Sequence, residues 1–570
     1  MKRSIYIFAV TLCILFLTSC SGINGFMDNI LGYVNDNDRV LKKAETPLVD
    51  LSYNYDLKKR SITTFYDEQY EVPYVDIKAF FSDMKGYIDS RHIYAKFDKR
   101  DSKLYFDNQG AEMIVDWNSN YIYFDNYNFI NFTEETKTDY VSHLAFIEPF
   151  YDQGDGVIFN LNDYNFDIMY YQGKCLVPFH IVNLLLCSNN MFNLYYNGEA
   201  YYGVDYNLYN VDDEDFAKIV YPLYGKARTN QFIKNNNNFM NFTFDYFYGL
   251  KDYKEINSFN EFTLNYHDSL YSPSNLDYNK AIFNIIYKEI DELHTRISNV
   301  SFYTVNDDID FLDDSIYGIR ANKFFDTSEQ LDKLYYERFG KSGAPIVRFI
   351  KDTAIINLEE FVTGENEDIY DSKGNVKPDA YKYDTYWLFY EAFQQISRVS
   401  GITNVVIDLS RNGGGNIAAL MKALTFLTDE VISLPTYDVL KDEYMIEYIK
   451  GDTDNDGSFD DADAYDNYHY YVLASDCTFS AANLFTSICR DMNLATIIGQ
   501  KSGGGMCAVL SVPMFDGMTI DMSSTYTLRS VLDQSANPVI FNEIESGVPV
   551  NINISLNNFY NDEILIKYLR

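Results

Sequence analysis

Asn404-Val405-Val406-Ile407-Asp408-Leu409 is a nearly unbroken apolar run, and Ser410-Arg411-Asn412-Gly413-Gly414-Gly415 follows it directly. A strand with one wet face alternates apolar with polar residues, whereas a continuous run needs cover on both faces. The glycine-rich turn then leads into a helix expected from about Ile417 to Leu427. Tyr470-Tyr471-Val472-Leu473-Ala474 repeats the pattern, with a helix expected from Ser480 to Met492 and a short strand at Ala495-Thr496-Ile497-Ile498. Upstream, Ala354 to Leu358 reads as a strand and Tyr383 to Val399 as a helix. Strand, crossover helix and strand in turn imply an α/β fold with a parallel-rich sheet. That core is expected over residues 341–570.

The chain has 570 residues, enough for two to four domains. Residues 45–210 read as a mixed α/β domain. Val75 to Met84 has helical spacing, and Asn193 to Tyr196 reads as a strand closed by the turn signal Asn197-Gly198. Residues 211–340 read as mainly helical. There Ile282, Ile285, Ile286, Ile290 and Leu293 share one helical face, with His294 at its end. A further helix is expected near Ser328 to Phe339. The stretch between His294 and Thr353 is short for an inserted peptide-binding module of the PDZ type, so none is expected.

The first residues bear on the compartment. Lys2 and Arg3 precede an apolar run from Ile5 to Leu17, too short to span a bilayer comfortably. Leu17-Thr18-Ser19-Cys20 resembles the bacterial lipobox. Residues 1–20 are therefore expected to be a lipoprotein signal peptide and residues 21–44 a tether. Cys20 would be lipidated, anchoring the chain to the cell envelope, outside the cytoplasm, by lipid alone. A net charge of −37 repels phosphate backbones and excludes nucleic acid as a partner. Past Cys20 the cysteines are 175, 187, 477, 489 and 507, an odd number without CxxC spacing. That is neither a disulfide framework nor a zinc site.

The chemistry lies in three turns that follow the buried strands. The glycines at 413–415 allow close backbone approach and outward-facing amides, which suit an anion site or an oxyanion hole. Thr478-Phe479-Ser480-Ala481-Ala482-Asn483 places a serine at a strand–helix junction. Serine caps helices well there, and a nucleophile at the same place would feel the helix dipole. Its flanking residues are not those of a G-x-S-x-G elbow. The third turn is Gly499-Gln500-Lys501-Ser502-Gly503-Gly504-Gly505.

In order and spacing these turns resemble the tail-specific, or C-terminal-processing, serine peptidase family. That family shows D-L-R-x-N-x-G-G, then T-x-S-A, then G-E-x-T-x-G. The resemblance covers roughly residues 280–555. It implies Ser480 as nucleophile, with an oxyanion hole from Gly413 or Gly414 and Ala481. Two departures stand out. Ser410 replaces the family's Arg, and the position of the Lys base falls on Gly505, with Lys501 four residues earlier. A serine needs a base to act as a nucleophile. His294, within Asp291-Glu292-Leu293-His294-Thr295, resembles the D-x-H-[ST] segment that carries the base in tricorn-type members. Those members add a Glu shortly before G-V-x-P-D. Here the matching stretch runs from Glu543 through Glu545 to Val548-Pro549-Val550-Asn551, which makes Glu545 the expected orienting carboxylate and Glu543 the alternative. The resemblance implies hydrolysis of a peptide or protein substrate by acyl transfer, with no catalytic cofactor. The other readings are a non-catalytic scaffold that kept the fold and a hydrolase of other acyl substrates.

One motif stands apart. Asp452-Thr453-Asp454-Asn455-Asp456-Gly457-Ser458-Phe459-Asp460 runs on to Asp463. It matches the twelve-residue calcium loop, with carboxylates at positions 1, 3, 5 and 9 and glycine at 6. Ser458 takes position 7, and Asp463 stands where Glu is usual. Carboxylates at this spacing repel one another without a cation, so a structural calcium ion is expected.

Overall fold

The computed structural model describes residues 39–152, 154, 156–312, 314–533 and 540–569; the expected signal peptide with Cys20 and most of the expected tether lie outside the described residues. The central sheet has six strands lying side by side in chain order. They are β1 (Val347–Ile350), β2 (Thr353–Asn357), β3 (Asn404–Asp408), β4 (His469–Ala474), β5 (Ala495–Gly499) and β6 (Ile552–Asn553). β1 pairs antiparallel with β2, and every later pair is parallel. The helices around it are α1 (Ile319–Phe339), α2 (Thr385–Ser397), α3 (Ile417–Thr425) and α4 (Ala481–Asp491).

The alternation of side chains explains the apolar runs. Ile355, Val406, Tyr471, Leu473 and Ile498 face one side and pack with Leu331 and Tyr335 of α1. Ala354, Ile356, Val405, Ile407, Val472 and Ile497 face the other, in the core that takes in α2, α3 and α4. Both faces are covered, so neither set can be polar.

A second sheet was not foreseen from the sequence. Its strands lie in the order Arg296–Asn299, Thr519–Leu528, Ile432–Asp438, Glu443–Gly451 and Leu144–Asp152, with Cys507–Pro513 also paired to Thr519–Leu528. Pairing is antiparallel throughout. It crosses the expected boundaries at 210 and 340, since one strand comes from each upstream region. Two further sheets lie upstream. One has seven strands and begins at Leu41, inside the expected tether, because Leu41 to Pro47 pairs with Ser61 to Asp67. The other is a five-strand meander between Ile93 and Asn160.

Three local expectations change. Val75 belongs to a strand, Val72–Asp76, and the helix starts after it at Ile77, where the Asp76 carboxylate accepts from Lys78 N. The helix carrying Ile282 becomes a π-turn over Ile285–Ile290 and stops at Asp291, which takes a left-handed φ of 42°. His294 therefore lies past the helix, in the turn before Arg296. α1 begins well before Ser328 because the Asp291 carboxylate, remote in sequence, accepts from Arg320 N (2.8 Å) and Ala321 N (3.1 Å). Gly318 offers no side-chain cap of its own. Among the described residues no helix is long and apolar enough to cross a membrane.

Ile407 is fully buried at the middle of the central sheet. Ile407→Ala should cost about 2–5 kcal/mol of stability, read as a lowered denaturant midpoint with an unchanged slope.

Candidate active site

The turns after β3, β4 and β5 meet at the carboxyl ends of the parallel strands, where α/β sheets place their ligands. Ser480 sits between β4 and α4 with φ 55° and ψ −122°. A positive φ on a residue bearing a side chain costs about 1–3 kcal/mol and survives only where the surroundings enforce it. They do so here by hydrogen bonding. Ser480 N donates to Gly504 O (2.9 Å), and Phe479 N donates to Asn412 O (3.1 Å). Thr478 Oγ1 donates to Leu409 O (2.7 Å), and Ser475 Oγ to Ser410 O (2.6 Å). Ser480 makes no side-chain cap to α4, so its hydroxyl is not spent on the helix. The residue is partly exposed.

The glycine turn lies against it. A Cβ on Gly414 would sit 2.7 Å from Ser480 Cβ and 3.1 Å from Ala481 N, and its φ of 116° excludes most side chains. The structure separates the two oxyanion candidates in this turn. Gly414 N donates to Asn412 Oδ1 (2.8 Å), so that amide is occupied. Among the described residues, the amides of Gly413 and Ala481 make no hydrogen bond. Asn412 is itself anchored by Nδ2 donating to Leu358 O (3.1 Å).

His294 is 7% exposed, and its ring packs on Phe479, the neighbour of Ser480, with centroids 4.6 Å apart. Neither Nδ1 nor Nε2 has a hydrogen-bond partner. Burial holds the imidazole below its usual pKa, only partly countered by the Glu292 charge. The segment is tied down by its own acids. His294 N donates to Glu292 Oε2 (2.7 Å), and Thr295 Oγ1 donates to Glu292 Oε1. Asp291 caps α1, and from α1 Arg320 donates to Asp476 Oδ2 (2.9 Å) and Gly503 O (2.6 Å). One aspartate and one arginine thus connect the histidine turn to the turns on both sides of Ser480.

Glu545 is placed differently from expectation. Its Oε2 accepts from Met506 N (2.8 Å), and burial together with the Glu292 charge lifts its carboxyl to about 7. The carboxylate bonded into the histidine segment is Glu292, because it lies two residues from His294 and the chain turns back on it. Glu543 and Lys501 are both exposed.

Residues 352–552 match the model of peptidase family S41. The chain carries an S41 peptidase domain. No curated protein matches the chain. Among solved structures, the photosystem II D1 C-terminal processing protease is 18% identical, with a TM-score of 0.25; the match covers 36% of this chain and 42% of that one. Mature CPAF is 12% identical over 58% of this chain and 95% of its own, with a TM-score of 0.37. A lipoprotein from Streptococcus agalactiae is 12% identical over 54% and 88%, with a TM-score of 0.31.

Within the S41 domain the lysine position is closed. A Cβ on Gly505 would meet the Phe479 ring at 2.5 Å. Phe479 fills the space a side chain from that turn would need, and His294 packs on the same ring. Ser410, standing where the family has Arg, donates through Oγ to Asp408 Oδ1 (2.6 Å) and meets Tyr560 Oη at 3.0 Å. Glu292, Asn412 and the Asp291–Arg320 link were missed from the sequence. A carboxylate two residues before the histidine was the one available signal.

The acidic loop is partly assembled. Asp452, Asp454 and Asp463 each bring one carboxylate oxygen within 4.8 Å of the others. Asp452 Oδ2 accepts from Gly457 N (2.9 Å), which closes the turn. Asp456 and Asp460 are not part of this group; their Oδ1 atoms accept from Ser458 N (2.7 Å) and Ala462 N (2.9 Å). The three grouped oxygens suit a hard cation.

Gly414→Ala should keep the secondary structure while its new Cβ pushes Ser480 out of line with the Gly413 and Ala481 amides, lowering hydrolysis by roughly 10²-fold or more, the scale of weakening an oxyanion contact. Circular dichroism alongside peptidase turnover checks both halves.

Proposed function

We propose that the S41 domain is a serine peptidase acting by acyl transfer through Ser480, in a chain anchored to a bacterial membrane by lipid on Cys20. The observation that carries the reading is the strained serine. Its hydroxyl is unspent, two free amides flank it, and a buried, unpaired imidazole packs on its neighbour.

Ser480 Oγ attacks the carbonyl carbon of a peptide while His294 takes its proton. The carbonyl oxygen gains negative charge and is met by the amides of Gly413 and Ala481, which are already oriented. The C–N bond breaks as His294 returns the proton to the leaving amine. Water then repeats the sequence on the acyl-enzyme, releasing the acid and restoring Ser480. Glu292 positions the histidine turn through the His294 amide and the Thr295 hydroxyl. Glu545 feels the Glu292 charge, which together with burial raises its pKa. The acidic loop holds a structural calcium ion through Asp452, Asp454 and Asp463, and the ion takes no part in the chemistry.

A fluorophosphonate probe should label Ser480, and Ser480→Ala should lose both label and peptidase activity. Persistent hydrolysis by that variant would overturn the assignment. His294→Ala should lower kcat/KM by roughly 10³-fold or more. The base must be neutral to accept a proton. Because burial lowers the pKa of His294, the acid limb of kcat/KM should fall below pH about 6.5, the value of a free imidazole.

Calcium should raise the thermal midpoint, and a chelator should reverse the rise. Asp452→Asn should abolish the difference. A midpoint indifferent to both additions would remove calcium from the reading.

A further inference from the structure

A cleft of about 500 Å³ opens in the amino-terminal half, and no residue lining it belongs to the site around Ser480. Its size is that of a small-ligand pocket. The floor is His180 stacked on Phe515, with centroids 3.7 Å apart. His180 is only 5% exposed, and its Nδ1 has no hydrogen-bond partner. Tyr66, Tyr196, Tyr303 and Phe232 line the cleft above it. Glu45, Glu68, Glu71 and Glu199 also line it, against a single lysine, Lys42, whose Nζ lies 3.9 Å from Glu68 Oε1.

Charge and chemistry agree on what would fill this space. Four carboxylates repel an anion. An uncharged apolar ligand would strip water from them without replacing it. Aromatic faces carry negative potential and attract cations. Burial drives His180 down to about 3, so it is neutral near pH 7 and one ring nitrogen can accept a hydrogen bond. Tyr66 is lifted to about 12, by burial first and then by the Glu71 and Glu68 charges, so the field of those acids reaches the ring. The one further cation, Arg228, belongs to the wall. Its side chain is 0% exposed, lies 4.2 Å over the Tyr278 ring and sits 3.9 Å from the Asp516 carboxylate, which oppose its charge from inside the protein, although none of its nitrogens donates a hydrogen bond.

We propose that this cleft binds an organic cation, an ammonium or guanidinium group on a slender apolar stem. The head group would donate to His180 and the acids while the stem packs on the aromatic rings. Two sources share this chemistry: a lysine or arginine side chain of a polypeptide, and a free polyamine. The inference stands whether or not Ser480 is catalytic.

Isothermal titration of the full chain with spermidine and, separately, with blocked trilysine tests it. Saturable binding that weakens with salt is expected. Glu68→Lys with Glu199→Lys, both at exposed positions, should weaken it about tenfold or more, in line with two reversed rim charges. The single Glu199→Gln variant should weaken it in the same direction. Fluorophosphonate labelling of Ser480 in the same samples should not change, which separates failure here from failure of the peptidase reading. Saturation by trilysine alone assigns the cleft to a polypeptide side chain, and saturation by spermidine alone to a polyamine. No saturation by either, or equal binding by the variants and the parent chain, overturns the proposal.

Discussion

Ser480 is held at a φ of 55°, and the hydrogen bonds that hold it come from other turns. Gly504 accepts the Ser480 amide from one side, and Asn412 accepts the Phe479 amide from the other. Those two turns reach Ser480 because β3, β4 and β5 are adjacent and parallel, so their carboxyl ends lie in a row. The strain at the serine thus depends on the sheet, and the sheet depends on cover over both faces. Backbone strain persists only where such surroundings over-determine it. Gly414 can approach the serine only without a side chain, and the Asn412 side chain occupies its amide and leaves that of Gly413 free.

The surroundings of Ser480 follow from a packing decision. Phe479 occupies the space in front of Gly505, so a side chain from the third turn has no room. The same ring offers a flat apolar surface on which His294 packs. The imidazole is buried there without a hydrogen bond to either nitrogen, an arrangement with a cost in free energy unless a partner arrives. A hydrogen-bonding group entering beside Phe479 would supply such a partner. Glu292 and Glu545 lie close enough to influence each other, and burial with that neighbour raises the second of them. Two carboxylates in one desolvated region rarely both stay ionised.

Much of the fold was legible because its signals are local. The runs at Asn404 to Leu409 and Tyr470 to Ala474 declared strands covered on two faces, and the helices between them followed. The antiparallel sheet was not legible. Leu144–Asp152 pairs with Glu443–Gly451, across about 300 residues, and nothing in either strand names its partner. The start of α1 was hidden for the same reason, since its cap is Asp291 and not a neighbour in the chain. In the site, the three turns were visible from their glycines and their order. Glu292 was not singled out, because its role rests on a chain reversal that places its carboxylate under His294 N and Thr295 Oγ1.

The sequence by itself determined which segments become buried parallel strands, where the glycine turns fall, and which serine stands at a strand–helix junction. Hydrophobic period, glycine and chain order are properties of a few neighbouring residues, so they survive reading in one dimension. Only the tertiary structure decided that Ser480 is strained and unspent, that Gly413 offers its amide while Gly414 does not, and that Glu292 serves the histidine turn. Each of those depends on contacts between residues far apart in sequence, set by how the sheets and helices pack.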